Sequence, residues 1–239
     1  MRIAVVSDIH GNRTAFEAVL ADLRETAPDL ILHGGDLAGG GSSQLDIVDR
    51  IQDLGWQGVV GNTDEMLFHP ASLTDFAAHS PDLASLFAAI EEMAAFSREA
   101  LGEDRLQWLA SLPRVQVHGP MTIVHASPDS TWRSPVSSAS DAELHAIYGA
   151  LGASLVVYGH IHTPYIRTVP GMVVANSGSV GLPCDGDRRA GYLLLDDLTP
   201  SIRRVAYDVD KELEALSASR LPHTDWIAKT LAAALPQAL

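Results

Sequence analysis

The chain has 239 residues, 46% of them hydrophobic, which is enough to build a sizeable core in one or two domains. Acidic residues outnumber basic ones 30 to 16, and the resulting net charge of −14 disfavours binding to long nucleic acids, because that binding depends on cationic side chains. Cys184 is the only cysteine, and the apolar runs are too short for a secretion signal or a membrane span, so we expect a cytoplasmic protein without disulfides or membrane contacts.

The first apolar run, from Arg2 to Ser7, predicts a strand that is buried on both faces. Ligands of open α/β sheets bind beyond the carboxyl ends of the strands, which is where Asp8 and His10 lie. With this spacing, a carboxylate oxygen and an imidazole nitrogen can both turn toward one ion. Asn12 is a suitable cap for a helix that is predicted to continue to Thr26.

Two more predicted strands end in polar residues. The strand Leu30–Leu32 is followed by Asp36, and the strand Gly58–Val60 is followed by Asn62. Each polar residue stands directly behind a glycine. A single asparagine at such a position is usually a turn residue, so neither strand end identifies a site by itself.

Helices are predicted between and after these strands. The glycine-rich loop 39–43 lacks the lysine of a phosphate-binding P-loop and is interpreted as a turn before a helix over Gln44–Leu54. A helical insertion covers about residues 65–111 and ends before Pro113. Its apolar stripe is interpreted as core packing rather than as a cofactor groove.

The second half of the chain repeats the pattern of polar strand ends. Predicted here are a hairpin of strands Val115–Val117 and Met121–Val124, a helix from a capping box at Ser140 to Leu151, and a strand over Leu155–Tyr158. His125 follows the hairpin, and His160 and His162 follow the last strand. Taken alone, a histidine such as His125 is more often structural than a metal ligand.

The last part of the chain changes to a period of two residues. Four consecutive antiparallel strands are predicted over Pro164–Val169, Met172–Ala175, Ala190–Leu195 and Ile202–Tyr207, followed by helices over Val209–Leu216 and Thr224–Ala234. No repeat or linker divides the chain. We therefore expect a single domain over residues 1–239, with a helical C-terminal tail over about 209–239.

Seven potential metal ligands thus stand at strand ends: Asp8, His10, Asp36, Asn62, His125, His160 and His162. Each has an ordinary explanation, but their joint placement does not. Oxygen and nitrogen ligands without sulfur suit one or two divalent ions of borderline or hard character. Asp36 is the natural bridging ligand, since a carboxylate has two oxygens. Cys184 matches no ligand position.

The order Asp-x-His, Gly-Asp, Gly-Asn-x-Asp, a lone His and Gly-His-x-His resembles the calcineurin-like metallophosphoesterase superfamily, and the stretch 176–181 is similar to a bacterial phosphodiesterase branch of it. The resemblance implies an α/β fold, a four-layer α/β/β/α sandwich of two mixed sheets. It also implies that Asp8, His10, Asp36 and His162 hold a first metal, and that Asp36, Asn62, His125 and His160 hold a second.

This charge arrangement predicts phosphoester hydrolysis. Two divalent ions and two carboxylates leave the site with a charge of about +2 if the histidines are neutral. Such a field attracts a phosphate and stabilises its transition state. A water that bridges the ions can lose a proton and attack as hydroxide. Histidines must be neutral to coordinate, so activity should fall at acid pH.

The sequence departs from the family pattern at Thr63. Family members often have a histidine at this position, which protonates the leaving group. Because this chain has Thr63 instead, Asp64 has no imidazole to orient. A threonine is no general acid near neutral pH, and general acid catalysis contributes about 10²–10⁴-fold. The branch with another residue at this position is associated with phosphodiesters, so a small phosphodiester is the favoured substrate, with Asn62 also a substrate contact and the catalytic acid unknown.

Several alternatives stay open at this point. A phosphomonoesterase or a dinucleoside-polyphosphate hydrolase would use the same two metals, and a metal-binding protein-interaction scaffold is the non-enzymatic alternative. The metals could be Mn, Fe, Zn, Ni or Co, since geometry does not choose among them. We expect a small phosphate ester as the substrate, with nucleotide-like esters among the candidates, and contacts to it from the segments 65–111 and 126–138. Both monomers and homo-oligomers are consistent with the sequence.

Overall fold

A computed structural model describes residues 1–239 and contains ten strands and eight α-helices. The strands are β1 (Arg2–Val6), β2 (Leu30–His33), β3 (Gln57–Gly58), β4 (Val115–His118), β5 (Met121–Val124), β6 (Leu155–Tyr158), β7 (Tyr165–Val169), β8 (Met172–Asn176), β9 (Ala190–Asp196) and β10 (Thr199–Val205). The helices are α1 (Arg13–Thr26), α2 (Gln44–Leu54), α3 (Asn62–Phe68), α4 (Ala71–Ala77), α5 (Ala84–Ser111), α6 (Asp141–Tyr148), α7 (Val209–Ala218) and α8 (Thr224–Ala233). None of the helices combines the length and the apolar character needed to cross a bilayer.

Two mixed five-stranded sheets form the centre, which confirms the predicted architecture. One sheet has the order β10-β9-β1-β2-β3 and the other the order β4-β5-β6-β8-β7. Alternate side chains of β1 divide the core, as the pleat requires. Ile3 and Val5 pack between the sheets, together with Ile123 and Val157 of the second sheet. Ala4 and Val6 pack on the other side, among residues of α1, α2 and α5.

Helices cover the outer faces of both sheets. The outer face of the second sheet packs against α6 through Leu144 and Tyr148. Ser140 caps this helix as predicted, since its hydroxyl accepts from the backbone N–H of Glu143 and that side chain returns the contact. The tail helices pack near α5, where Leu216 and Ile227 contact Met93. Together with the helices around α1, these contacts make four layers.

The third strand is shorter than predicted. It spans Gln57–Gly58 and not Gly58–Val60. Val60 leaves the ladder and donates its backbone N–H to the carbonyl of Pro113, at 2.9 Å. Val59 is apolar because it packs between the two sheets, and not because it extends the strand. The helical insertion begins correspondingly earlier, at Asn62.

The four period-two strands are also not one antiparallel series. β7 and β8 form an antiparallel pair in the second sheet, where β8 also runs parallel to β6. β9 and β10 form an antiparallel pair in the first sheet, where β9 lies beside β1. The stretch between β8 and β9 therefore crosses from one sheet to the other, and it crosses at the edge where β1 ends.

The C-terminal tail is tied to the sandwich by a buried carboxylate. Glu212 of α7 accepts from the backbone N–H of Thr14 at 3.2 Å and from the hydroxyl of Ser42 at 2.8 Å, and only 2% of the residue is exposed. We propose on this basis that residues 1–239 unfold as one domain.

Glu212→Ala should lower the free energy of unfolding by about 1–3 kcal/mol, because it leaves two donors without an acceptor. Glu212→Gln, which keeps one acceptor oxygen, should lower it less. Urea denaturation followed by circular dichroism measures both values. Two separate transitions, only one of them shifted by Glu212→Ala, would show that the tail is an independent unit.

Candidate metal centre

The seven predicted ligands lie at one edge of the sandwich. Asp8 and His10 follow β1, Asp36 follows β2, Asn62 begins α3 directly after β3, His125 follows β5, and His160 and His162 follow β6. The strands β1, β2 and β3 are parallel in one sheet, and β5 and β6 are parallel in the other. Their carboxyl ends therefore present these residues along a shared rim.

Five of the seven have a left-handed backbone. The φ angles are 55° at Asp8, 49° at His10, 54° at Asp36, 66° at His160 and 55° at His162. Non-glycine residues adopt this conformation rarely, and such residues concentrate at functional sites. The sharp turns allow residues that are two apart in sequence, such as Asp8 and His10, to face the same point.

One cluster consists of Asp8, His10, Asp36 and His162, all buried. One ligand atom from each lies within 4.8 Å of the others. His162 Nε2 is 3.1 Å from Asp8 Oδ1, and His10 Nε2 is 3.6 Å from Asp36 Oδ2. The Nε2 atoms of the two histidines are only 3.1 Å apart. This grouping fits a divalent metal ion.

A second group adjoins the first through Asp36. His125 Nε2 lies 3.5 Å from Asp36 Oδ2 and 2.9 Å from Asn62 Oδ1. His160 Nδ1 lies 2.8 Å from the same Asn62 oxygen. The structure thus brings all seven predicted residues together, and Asp36 stands between the two groups.

The ring tautomers follow from the backbone. Nδ1 of His10 faces the carbonyl of Gly39 at 3.0 Å, and Nδ1 of His125 faces the carbonyl of Gly34 at 2.8 Å. Nδ1 of His162 likewise faces the carbonyl of Leu182 at 2.6 Å. A carbonyl only accepts, so each Nδ1 carries the proton. When these rings are neutral, as metal binding requires, Nε2 of each has a lone pair directed at the cluster, as in metal sites with supported histidines.

Charge in the two groups is balanced locally. Burial alone would raise the pKa of Asp36, but the imidazoles of His125 and His10 lower it well below its usual range. Burial alone would lower the pKa of His125, but Asp36 raises it to about 9. Asp8 similarly raises the pKa of His162 well above its ordinary value, against the effect of burial. A divalent ion, which binds neutral imidazole, would displace these protons.

The other two rings remain neutral. Burial lowers the pKa of His10. Burial and the neighbouring charge of His125 lower the pKa of His160 to about 4. Both rings are therefore already in the form that binds a metal at neutral pH.

Two glycines bring the loops close to the carboxylates. A Cβ atom at Gly61 would lie 2.0 Å from Asp36 Oδ1, and one at Gly159 would lie 2.3 Å from Asp8 Oδ2. No side chain fits either position. This explains why Asn62 and His160 each follow a glycine.

The stretch between β8 and β9 supports the centre from behind. Ser179 Oγ donates to the carbonyl of Asp8 at 2.7 Å, and the backbone N–H of Gly181 donates to the same carbonyl at 2.9 Å. Asn176 Nδ2 donates to the carbonyl of Gly159 at 2.5 Å. These residues therefore position the ligand loops rather than contributing to either cluster.

Thr63 and Asp64 have structural partners. The Thr63 hydroxyl donates to the carbonyl of Ala38 at 2.9 Å. Asp64 is fully buried and accepts from the backbone N–H groups of Leu37 at 3.0 Å, Ala38 at 3.1 Å and Gly61 at 3.2 Å. Asp64 therefore ties the loop after β2 to the start of α3, a role that the sequence pattern did not indicate.

Cys184 and Ser7 stand behind the ligands. Cys184 Sγ is 3.8 Å from His162 Nδ1, on the side of the ring away from the cluster. Ser7 Oγ donates to Asp8 Oδ2 at 2.5 Å. Sequence reasoning assigned neither contact, since both depend on loop geometry. Neither residue is among the seven predicted ligands.

Known proteins share this fold and sequence pattern. Residues 1–198 match the family model of the calcineurin-like phosphoesterase superfamily domain. An uncharacterized protein of Methanocaldococcus jannaschii is 30% identical, over 96% of this chain and 96% of its own length.

Solved structures agree with this match. A metallophosphoesterase from Sphaerobacter thermophilus is similar over 98% of this chain and 100% of its own, with 26% identity and a TM-score of 0.81. A hypothetical protein from Pyrococcus horikoshii OT3 is similar over 99% of both chains, with 18% identity and a TM-score of 0.83. The latter similarity concerns the fold alone.

Asp64→Ala should lower the free energy of unfolding by about 3 kcal/mol or more, because three buried N–H groups lose their acceptor. Burial and the charge of Asp36 raise the pKa of Asp64 to about 7, so a neutral side chain is tolerated here. Asp64→Asn, which keeps one acceptor oxygen, is therefore the matched control with a smaller loss. Equal urea midpoints for Asp64→Ala and the wild type would contradict this role.

Proposed function

The chain belongs to the calcineurin-like phosphoesterase superfamily, and we propose that it is a phosphodiesterase that uses two divalent metal ions on small substrates. Family membership makes it a phosphoester hydrolase. The number of ions and the preference for diesters are our proposal. It is supported above all by the convergence of seven candidate oxygen and nitrogen ligands at one edge of the sandwich. Beside them stands Thr63, whose hydroxyl cannot act as a general acid near neutral pH.

The chemistry of the donors fits two ions. Asp8, His10, Asp36 and His162 would hold one ion, and Asp36, Asn62, His125 and His160 would hold the other. Asp36 lies between the two groups, and its negative charge is balanced by His125 in the absence of metal. A set of carboxylate, amide and imidazole donors without a thiolate suits Mn, Fe, Zn, Ni or Co.

The residues of the centre have distinct tasks. When bound, the ions would supply positive charge for the phosphate and lower the pKa of a water molecule. Backbone carbonyls hold the rings of His10, His125 and His162 in the tautomer that binds metal. Asn62 uses its Oδ1 within the second group, which leaves its Nδ2 to donate to a substrate oxygen.

The leaving group distinguishes the candidate substrates. The Thr63 hydroxyl donates to Ala38, and Asp64 accepts from three backbone N–H groups, so neither delivers a proton to substrate. Esters whose leaving group is stable as an anion suffer least from this. Diesters with such a leaving group are therefore favoured over simple alkyl monoesters. Dinucleoside polyphosphates, whose leaving group is itself a phosphate, are the second candidate on the same observation.

The first test combines metal analysis with matched substrates. We expect protein purified without chelator to bind about two metal ions per chain. With added Mn²⁺ or Ni²⁺, it should hydrolyse bis(4-nitrophenyl) phosphate with a higher kcat/KM than 4-nitrophenyl phosphate. His125→Ala should lose one ion and more than about 100-fold in turnover, because even outer-shell partners contribute about 10–100-fold.

His145→Ala, which removes an exposed histidine of α6, is the matched control and should match the wild type. Unchanged diester turnover in His125→Ala would contradict the two-metal proposal. Two bound ions without turnover of any ester would favour a scaffold, and failure to bind metal after reconstitution would remove the basis of the proposal.

Thr63→His should raise kcat/KM for a simple alkyl monoester such as glycerol 3-phosphate by up to about 100-fold, because it supplies the missing proton donor. The asparagine side chain in Thr63→Asn does not titrate, so this variant should show no rise in kcat/KM for the monoester. Metal content is measured in parallel for both variants. If Thr63→His retains both ions and monoester turnover does not rise, our explanation of the substrate preference is wrong.

A further inference from the structure

A cleft lies beside the second ligand group, between the helical insertion and the loop after β5. Its volume is about 280 Å³, and its lining includes Glu65, Ser72, Phe76, Arg114, Trp132 and Arg133. Both walls start at the metal centre. Glu65 lies three residues after Asn62 on α3, which is about 4.5 Å along the helix axis. The other wall belongs to the segment that begins at His125.

A buried carboxylate builds this cleft. Glu65 is only 6% exposed, and it accepts from Arg114 Nη2 at 2.5 Å and from the hydroxyl of Thr131. It thereby joins α3, the start of β4 and the loop after β5. The Arg114 side chain is 51% exposed although it is paired, so part of its guanidinium faces the cleft.

Arg133 adds an unpaired cation. Its side chain contacts no carboxylate, although the chain carries 30 acidic and only 16 basic residues. Guanidinium groups bind phosphate oxygens with two parallel hydrogen bonds. The cleft also contains the carboxylates of Glu65, which Arg114 pairs, and of Asp75, so an anionic ligand would bind through Arg133 and the part of Arg114 that Glu65 leaves free.

An aromatic wall stands next to the arginines. The Trp132 ring stacks on Phe76 with centroids 5.1 Å apart and an interplanar angle of 28°. Phe76 contacts Phe87 edge to face at 5.9 Å, which fixes the stack against α5. Trp132 Nε1 and Ser72 Oγ are buried without a hydrogen-bond partner. Both residues line the cleft, but these two atoms are themselves covered by protein, so the wall offers a ligand the surface of the Trp132 ring rather than these donors.

From these contacts we infer that the cleft binds a nucleotide portion of the substrate, with the base against Trp132 and a phosphate at Arg133 and Arg114. This inference rests on the proposed function, since the metal centre would hold the scissile phosphate next to the cleft. At about 280 Å³ the cleft is slightly smaller than typical ligand sites of about 300–1,000 Å³, which favours a single nucleotide as its occupant.

The test measures binding and turnover separately. Titration calorimetry of the metal-loaded protein uses the α,β-methylene analogue of ADP, which contains a base and phosphates but is not cleaved between them. Arg133→Ala should weaken its binding at least about tenfold, and Trp132→Ala by about tenfold. Trp132→Phe, which keeps a stacking ring, should lose less affinity for the analogue. If it binds nearly as well as the wild type, the loop around position 132 tolerates substitution, and the loss in Trp132→Ala comes from the missing ring.

Arg24→Ala is the matched control, because Arg24 is exposed on α1 and forms no ion pair. It should bind the analogue like the wild type. Turnover adds a second readout. Trp132→Ala should raise KM for the 4-nitrophenyl ester of thymidine 5′-monophosphate about tenfold more than KM for bis(4-nitrophenyl) phosphate, because this ester offers the cleft a base but no second phosphate.

The two proposals fail in different ways. If the protein hydrolyses bis(4-nitrophenyl) phosphate but Arg133→Ala binds the analogue as tightly as Arg24→Ala, the cleft assignment is wrong and the proposed function stands. If the analogue binds and Arg133→Ala weakens it, while no ester is hydrolysed, the cleft assignment stands and the proposed function fails. Absence of nucleotide binding in the wild type overturns the cleft assignment.

Discussion

Two carboxylates buried at the meeting edge of two sheets determine much of this molecule. Asp8 and Asp36 are 0% and 2% exposed, and a charge at such depth is unfavourable unless opposite charge surrounds it. The protein surrounds them with imidazoles, of which His125 and His162 hold protons strongly. The same burial makes the site suitable for a divalent cation, which would balance both carboxylates while the imidazoles are neutral.

The loops around these carboxylates follow from the need to bring seven side chains to one place. The left-handed backbone at Asp8 and Asp36 is strained, which lowers the stability of the fold. The glycines where a Cβ would touch a carboxylate oxygen lose more conformational entropy on folding than other residues. They are retained because the sheets and the crossing segment hold them. The backbone N–H of Gly181 and the hydroxyl of Ser179 both reach the carbonyl of Asp8. The rigid sandwich thus stabilises a strained edge.

Sequence reasoning located the seven candidate ligands because strand ends are local features. Hydrophobic runs locate β1 and β6, and the polar residues behind them fall at the rim by topology alone. It failed where partners are distant in the chain. The predicted strand Gly58–Val60 was wrong at its last two residues, because a residue such as Val59, buried between two sheets, gives the same apolar pattern as a residue paired within one. The hairpins β7–β8 and β9–β10 have identical periodicity, and nothing local tells which sheet each one joins.

Four consecutive residues in the first turn of α3 contact four different parts of the molecule. Successive residues of a helix point about 100° apart, so four neighbours face four directions. Asn62 faces the second ligand group, the Thr63 hydroxyl meets the backbone of Ala38, Asp64 is buried against the preceding loop, and Glu65 holds the cleft. The Thr63 side chain is not a candidate ligand, and its one contact, to the carbonyl of Ala38, joins α3 to a loop that Asp64 also holds. Under the proposed function, a change at position 63 would remove that one contact and alter the chemistry offered to the leaving group, while the contacts of Asn62, Asp64 and Glu65 would stay in place.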